Sequence, residues 1–260
     1  MNLTVDLAAE VAQELRAALS ASLTLRSGEL LAVFAPIELA TELSTATLDS
    51  SEKMQMLAYR FTKDRQRYHV AHVVKRLVIG QMLGLPPQRL AFTSTDRGKP
   101  QLSDRQLHFS ISHSGNWIVI ALRSDVEIGV DLEWQRNSTT DLPWSMLHHP
   151  DEPQMYDAAS FFRFWTLKEA ITKCSGEGLM FDFTRLLVQP QHPMGYRGTD
   201  GKRCWQAWHG LIDAATHLAV ASPITWSIFR CLRLAIPPAT SVPRDVSPLV
   251  VHQTVCEMWR

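Results

Sequence analysis

Cysteine is scarce in this chain of 260 residues, which has four: Cys174, Cys204, Cys231 and Cys256. None form a Cys-x-x-Cys pair, and their wide spacing suits neither a zinc finger nor a dense disulfide framework. They read as reduced thiols of a cytoplasmic protein. Net charge is lacking too. The 26 basic and 26 acidic side chains cancel, which argues against a general electrostatic grip on nucleic acid. No run of about 18 apolar residues occurs, so no membrane span is expected. A secretory leader is also not expected, because Asp6, Glu10, Glu14 and Arg16 interrupt the opening residues and no basic start precedes them. Leu7, Val11, Leu15 and Leu19 instead recur as one stripe of a short amphipathic helix.

What is present is a globular composition, with 45% hydrophobic and 20% charged residues. That is material for one large domain or two small ones. Residues 29–34 read as a first strand. From Met54 to Leu83 the pattern is helical, with Val70, Val73, Val74, Leu77 and Val78 on one face. Gly84 and Pro86-Pro87 stop it. A loop carrying Asp96-Arg97-Gly98-Lys99-Pro100 follows. Residues 107–112 alternate, Ser114-Gly115-Asn116 turns, and 117–122 returns as a buried strand, which together make a hairpin. Residues 128–133 form another strand, and a helix spans Asp157 to Cys174, ended by Gly176 and Gly178. Short strands are expected at 184–189, 203–208 and 217–222, and an irregular tail beyond Ile236.

The chain therefore reads as an N-terminal extension (1–25), an N-terminal lobe (26–123), a C-terminal lobe (124–236) and a tail (237–260). The fold class is α+β. Two pseudo-symmetric α/β lobes are expected, each a small antiparallel sheet packed on a long helix.

Chemistry concentrates in two segments. In a strand, Ile128, Val130 and Leu132 face a core while Asp131 and Glu133 face the other way together. Paired carboxylates repel, and a hard divalent cation such as Mg²⁺ relieves the repulsion. Taken alone, the pair is more often an exposed acidic strand edge. In the helix, Glu169 and Lys173 are four apart and share a face. On spacing alone this is an ordinary surface ion pair.

Ile128-Gly129-Val130-Asp131-Leu132-Glu133, followed by Phe164-Trp165-Thr166-Leu167-Lys168-Glu169-Ala170 and Lys173, resembles the 4′-phosphopantetheinyl transferases. Gly98-Lys99-Pro100 and Phe109-Ser110-Ile111-Ser112-His113-Ser114 are similar to the family's larger, two-lobed class, the type that activates surfactin synthetase. The resemblance covers about residues 50–222. It implies Mg²⁺-dependent transfer of the phosphopantetheine arm of coenzyme A to a serine of an acyl, peptidyl or aryl carrier protein, with release of adenosine 3′,5′-bisphosphate.

By that resemblance Asp131, Glu133 and Glu169 bind the metal. Glu169 also accepts the serine proton, and Lys173 steadies the transferring phosphate. Lys168 has a lesser role. Arg97, Gly98, Lys99, Pro100, Ser112 and His113 belong to the coenzyme A pocket, with Arg67 and Lys53 adding positive charge. Where the family has a second lysine near position 56, this chain has Met56. Gly98-Lys99-Pro100 is not a phosphate-binding P-loop, since Pro100 stands where Ser or Thr is needed. His69 and His72, Trp117 and Trp165 and the His148-His149 pair read as unrelated to the chemistry, with the tryptophans filling the core or the seam. Two lobes in one chain imply a monomer with a complete site. The alternatives are a non-catalytic coenzyme A or carrier-protein binding module and, more remotely, a metal-dependent phosphohydrolase.

Overall fold

The computed structural model describes residues 23–135, 142–153, 157–192, 195–235 and 250–256. The expected helix through Leu7–Leu19 lies outside them. Twelve strands are described: β1 (Glu29–Pro36), β2 (Phe92–Ser94), β3 (Pro100–Leu102), β4 (His108–Ser114), β5 (Trp117–Arg123), β6 (Gly129–Trp134), β7 (Leu187–His192), β8 (Gly195–Thr199), β9 (Cys204–Leu211), β10 (Thr216–Ser222), β11 (Ile228–Ala235) and β12 (Val250–Cys256). The α-helices are α1 (Ser50–Ala58), α2 (Thr62–Leu83), α3 (Trp144–Leu147) and α4 (Ala158–Ser175). None is long and apolar enough to cross a membrane.

Two five-stranded sheets carry the fold, in the orders β12-β11-β1-β5-β4 and β6-β10-β9-β8-β7, and β2 and β3 form a small separate hairpin. Alternation sorts each strand's residues between layers. Leu31, Val33, Ile118, Ile120 and Leu122 face α2. Their neighbours Leu30, Ala32, Phe34, Val119 and Ala121 turn the other way and meet Val130, Leu132, Leu218 and Val220 of the second sheet. The far face of that sheet packs through Ala207, Ala219 and Ala221 on Phe164, Leu167 and Ile171 of α4. The result is four layers: helix, sheet, sheet, helix. The α+β class with a long helix on each sheet is as expected.

Three expectations need correction. The first sheet is mixed, because β1 pairs parallel with β11. Residues 228–235, read as part of the second lobe, thus complete the sheet of the first. The region beyond Ile236, read as irregular, contains β12 antiparallel to β11. Finally, the helix expected from Met54 to Leu83 is two helices, broken at extended Tyr59 and Phe61. In one straight helix Glu52 and Arg76 would lie about 36 Å apart. Folded back, Glu52 Oε2 accepts from Arg76 Nε at 2.6 Å and Oε1 from Lys75 at 2.7 Å. His72 Nδ1 lies 3.0 Å from Glu52 as well, so it belongs to this buried network.

The elements bearing the chemistry have clear local causes. Asp157 caps α4, accepting from the Ser160 amide at 2.8 Å, and Gly176 ends the helix in the left-handed conformation at φ 77°. Gly129 lets α4 lie directly on β6. A Cβ there would sit 1.9 Å from the Ala170 carbonyl and 2.4 Å from the Cys174 amide. No larger residue allows that approach.

Candidate active site

At one side of the packed sheets, β4, an edge strand of the first, passes β6, an edge strand of the second. Phe109 and Ile111 turn into the first core, so Ser110, Ser112 and Ser114 turn to the seam. Their hydroxyls accept the amides of Val130, Leu132 and Trp134 at 3.1, 3.1 and 2.9 Å. Two of them also donate onward, Ser112 to Asp131 Oδ1 at 2.8 Å and Ser114 to Glu133 Oε2 at 3.3 Å. A ladder of hydroxyls thus replaces backbone pairing between the lobes and delivers hydrogen bonds to the acids of β6.

Asp131 and Glu133 face α4, on which Trp165, Glu169 and Lys173 follow at intervals of four. Lys173 Nζ reaches Asp131 Oδ1 at 2.6 Å and Ser112 Oγ at 3.1 Å. Asp131 is 3% exposed, and its second oxygen, Oδ2, is buried without a hydrogen-bond partner. Trp165 Nε1 donates to Glu133 Oε1 at 3.2 Å. The Glu169 carboxylate accepts no hydrogen bond among the described residues.

Three carboxylates against one ammonium leave an excess of negative charge. Burial, and then the charge of Asp131, push the carboxyls of Glu133 and Glu169 up to about 7. Lys173 also shifts upward, which here favours its charged form. Burial alone would lower it, but Asp131 and the two glutamates outweigh burial and raise it. Burial, with the charges of Lys173 and Arg67, lowers His113. Among the described residues no three acids, histidines or cysteines close into a ready metal cage. The donor set nevertheless fits a hard divalent cation: oxygen ligands only, one of them a buried, unpartnered carboxylate oxygen, in a site short of positive charge.

Two cavities flank this cluster. One, of about 980 Å³, is lined by His113, Ser114, Glu133 and Trp165, with Arg67 and Lys63 at its basic side. The other, of about 230 Å³, is lined by Arg97, Gly98, Lys99, Pro100, Ser110 and Lys173, among others. β4 runs from one to the other, and Ser112 lies between. Lys99 pairs with Glu127 and donates to the Cys174 carbonyl at 2.9 Å, which tethers its loop to the end of α4. Arg97 pairs with Glu177 at 2.8 Å and is 62% exposed. Arg67 pairs with Asp64 at 2.8 Å and donates to the Gly115 carbonyl at 3.0 Å.

The structure therefore brings Asp131, Glu133, Glu169, Lys173 and Ser112 together. His113 and Arg67 lie on one flank, and Arg97, Gly98, Lys99 and Pro100 on the other. It does not bring in Lys53. That residue follows Glu52, which points into the buried network, so it lies on another face of α1 and lines neither cavity. Lys168 is fully buried, pairs with Glu152 at 2.9 Å and donates to the Leu147 carbonyl at 2.6 Å, which is a framing role. Sequence reasoning missed three participants. Ser114 was visible two places beyond Ser112, and Trp165 one helical turn before Glu169. Glu127 had no comparable signal.

The fold and its seam define a class: a two-lobed α+β protein with carboxylates and a lysine gathered where the sheets meet. Comparison with known proteins agrees. Residues 33–125 match the family model described as 4′-phosphopantetheinyl transferase, N-terminal, and residues 127–221 match the 4′-phosphopantetheinyl transferase superfamily. The chain is 35% identical over 150 residues to the 4′-phosphopantetheinyl transferase HetI of Nostoc sp., covering 52% of this chain and 62% of that protein. To psf-1 of Bacillus pumilus it is 33% identical, covering 47% and 55%. To a 4′-phosphopantetheinyl transferase of Bacillus subtilis it is 32% identical over 155 residues, covering 51% and 67%. This chain belongs to the 4′-phosphopantetheinyl transferase superfamily. It spans 55–62% of the length of the first two of these relatives.

Proposed function

We propose that this protein transfers the 4′-phosphopantetheine arm of coenzyme A to a serine of acyl, peptidyl or aryl carrier proteins in a Mg²⁺-dependent reaction. The observation carrying the proposal is the Asp131–Lys173–Ser112 contact, with Glu133 and Glu169 beside it, between a pocket edged by Gly98-Lys99-Pro100 and a larger cavity. Coenzyme A presents an adenine, a 3′-phosphate and a pyrophosphate. The smaller pocket suits the adenine, while Arg67 offers positive charge and His113 a hydrogen bond to phosphate. Lys173 stands where it stabilises charge on the phosphates as the bond between them breaks. Asp131, Glu133 and Glu169 would hold the magnesium ion, which when bound neutralises and polarises the pyrophosphate.

The carrier serine enters from the larger cavity and its oxygen attacks the phosphorus that bears pantetheine. Glu169 accepts the serine proton, directly or through water. The new phosphodiester forms as the old pyrophosphate bond breaks, and adenosine 3′,5′-bisphosphate leaves with the bonding pair. Holding these groups in line is most of the catalytic task.

The test is mass spectrometry of several apo carrier proteins after incubation with coenzyme A and Mg²⁺. Wild type is expected to add one phosphopantetheine arm. Glu169→Gln and Asp131→Asn are expected to lower the rate at least about 100-fold, the span associated with one catalytic proton-transfer group, with circular dichroism unchanged. Coenzyme A cleavage without a carrier would point instead to hydrolysis. Unchanged transfer by both variants would remove these acids from the mechanism.

A further inference from the structure

Glu133 is held in a way that Glu169 is not. Each of its carboxylate oxygens receives one hydrogen bond, and the two donors come from opposite lobes. Ser114, at the end of β4, donates to Oε2 at 3.3 Å. Trp165, on α4, donates to Oε1 at 3.2 Å. Neither donor is loosely set. The Ser114 hydroxyl is aimed by the Trp134 amide, which it accepts at 2.9 Å. The Trp165 ring stacks on Phe161 at 5.9 Å and 18° and meets Phe183 edge-on at 5.5 Å and 79°. A carboxylate with both oxygens engaged from two sides keeps one rotamer. Glu169, next to it and buried, accepts no such bond among the described residues.

We propose that Trp165 and Ser114 are positioning residues. Together they fix the Glu133 carboxylate in the orientation that receives the metal, and they couple that orientation to the alignment of the two lobes. Glu169 is left as the acid that adjusts. The proposal rests on the function given above and deepens it. Partners that orient a metal-binding group typically contribute tenfold or more to metal affinity.

The experiment measures Mg²⁺ binding to the protein alone by calorimetry, and separately the kinetic constants of transfer. Trp165→Phe keeps the ring stack and removes the donor, and Ser114→Ala removes the other donor. Each is expected to weaken Mg²⁺ binding about tenfold and to lower kcat, with the KM for coenzyme A within about twofold of wild type. Ser114→Thr, which retains a hydroxyl, is expected to restore binding. The indole N–H signal of Trp165 in a ¹⁵N spectrum, identified by its loss in Trp165→Phe, is expected to shift on adding Mg²⁺ without substrate.

Thermal midpoints report any general loss of packing, and Ser114→Ala keeps the test valid if Trp165→Phe proves unstable. Wild-type Mg²⁺ affinity in folded Ser114→Ala and Trp165→Phe would overturn the proposal, as would failure of Ser114→Thr to differ from Ser114→Ala. If wild type itself neither binds Mg²⁺ nor modifies a carrier, the underlying function fails instead.

Discussion

At the scale of single residues, the environment decides protonation as much as residue type does. His217 is 3% exposed, and burial, then the charge of Arg163, hold its imidazole down at about 4. It lies 2.9 Å from His209 Nε2 and 3.0 Å from the Gln135 side-chain oxygen. In the unfolded chain the same ring titrates near 6.5. Between those values the unfolded state binds the extra proton, so this residue's contribution to stability is complete above pH 6.5 and declines as the pH falls toward 4. The urea midpoint of wild type is therefore expected to exceed that of His217→Gln by less at pH 4.5 than at pH 7.5. A pH-independent difference would show that the ring is not buried neutral. The acids Asp131, Glu133 and Glu169 were legible in the sequence as residue types. Their partners were less so, because a donor such as Trp165 also serves as core and only its distance to Glu133 reveals the second use.

At the scale of elements, β4, β6 and α4 were readable, since each keeps a single period over its whole length. Phe109 and Ile111 against Ser110 and Ser112, and Val130 and Leu132 against Asp131 and Glu133, are simple alternations that the structure sorts to opposite faces. The break between α1 and α2 was not readable. It is driven by Glu52 reaching Lys75 and Arg76, a contact invisible to local pattern. Strand β11 was missed for a related reason, because its neighbour β1 lies about 200 residues earlier. The approach of α4 to β6 also gives a test. Gly129→Ala places a methyl against the Ala170 carbonyl and the Cys174 amide, both backbone atoms that cannot rotate away. The cost is expected to be about 3 kcal/mol, the upper end for an overpacked core, measured by urea unfolding. Transfer is expected to fall further than stability alone accounts for, since Glu169 and Lys173 ride on the displaced helix. Unaltered unfolding would contradict the close packing described.

At the scale of the whole molecule, the two lobes are joined by more than the linker near residue 125. Arg123 is fully buried, pairs with Asp125 at 2.9 Å and donates to Ser222 Oγ at 3.1 Å and to the Ile224 carbonyl at 3.3 Å. More decisively, β11 comes after the second sheet in the chain and inserts beside β1 of the first. A chain ended at residue 223 keeps every catalytic candidate but leaves β1 as an open edge. It is expected to associate in size-exclusion chromatography and to lose its cooperative thermal transition. A monomeric, cooperatively melting truncation would show that β11 is dispensable.

The placement of β11 also bears on synthesis. A ribosome releases β1, β5 and β4 long before it reaches residue 228, so the emerging N-terminal half waits with half of its central strand's hydrogen-bonding groups unmet. Its completion comes only once residues 228–235 have been translated. The nascent polypeptide thus passes through a long interval with a sticky, unfinished sheet margin, when a holding chaperone has the most to shield.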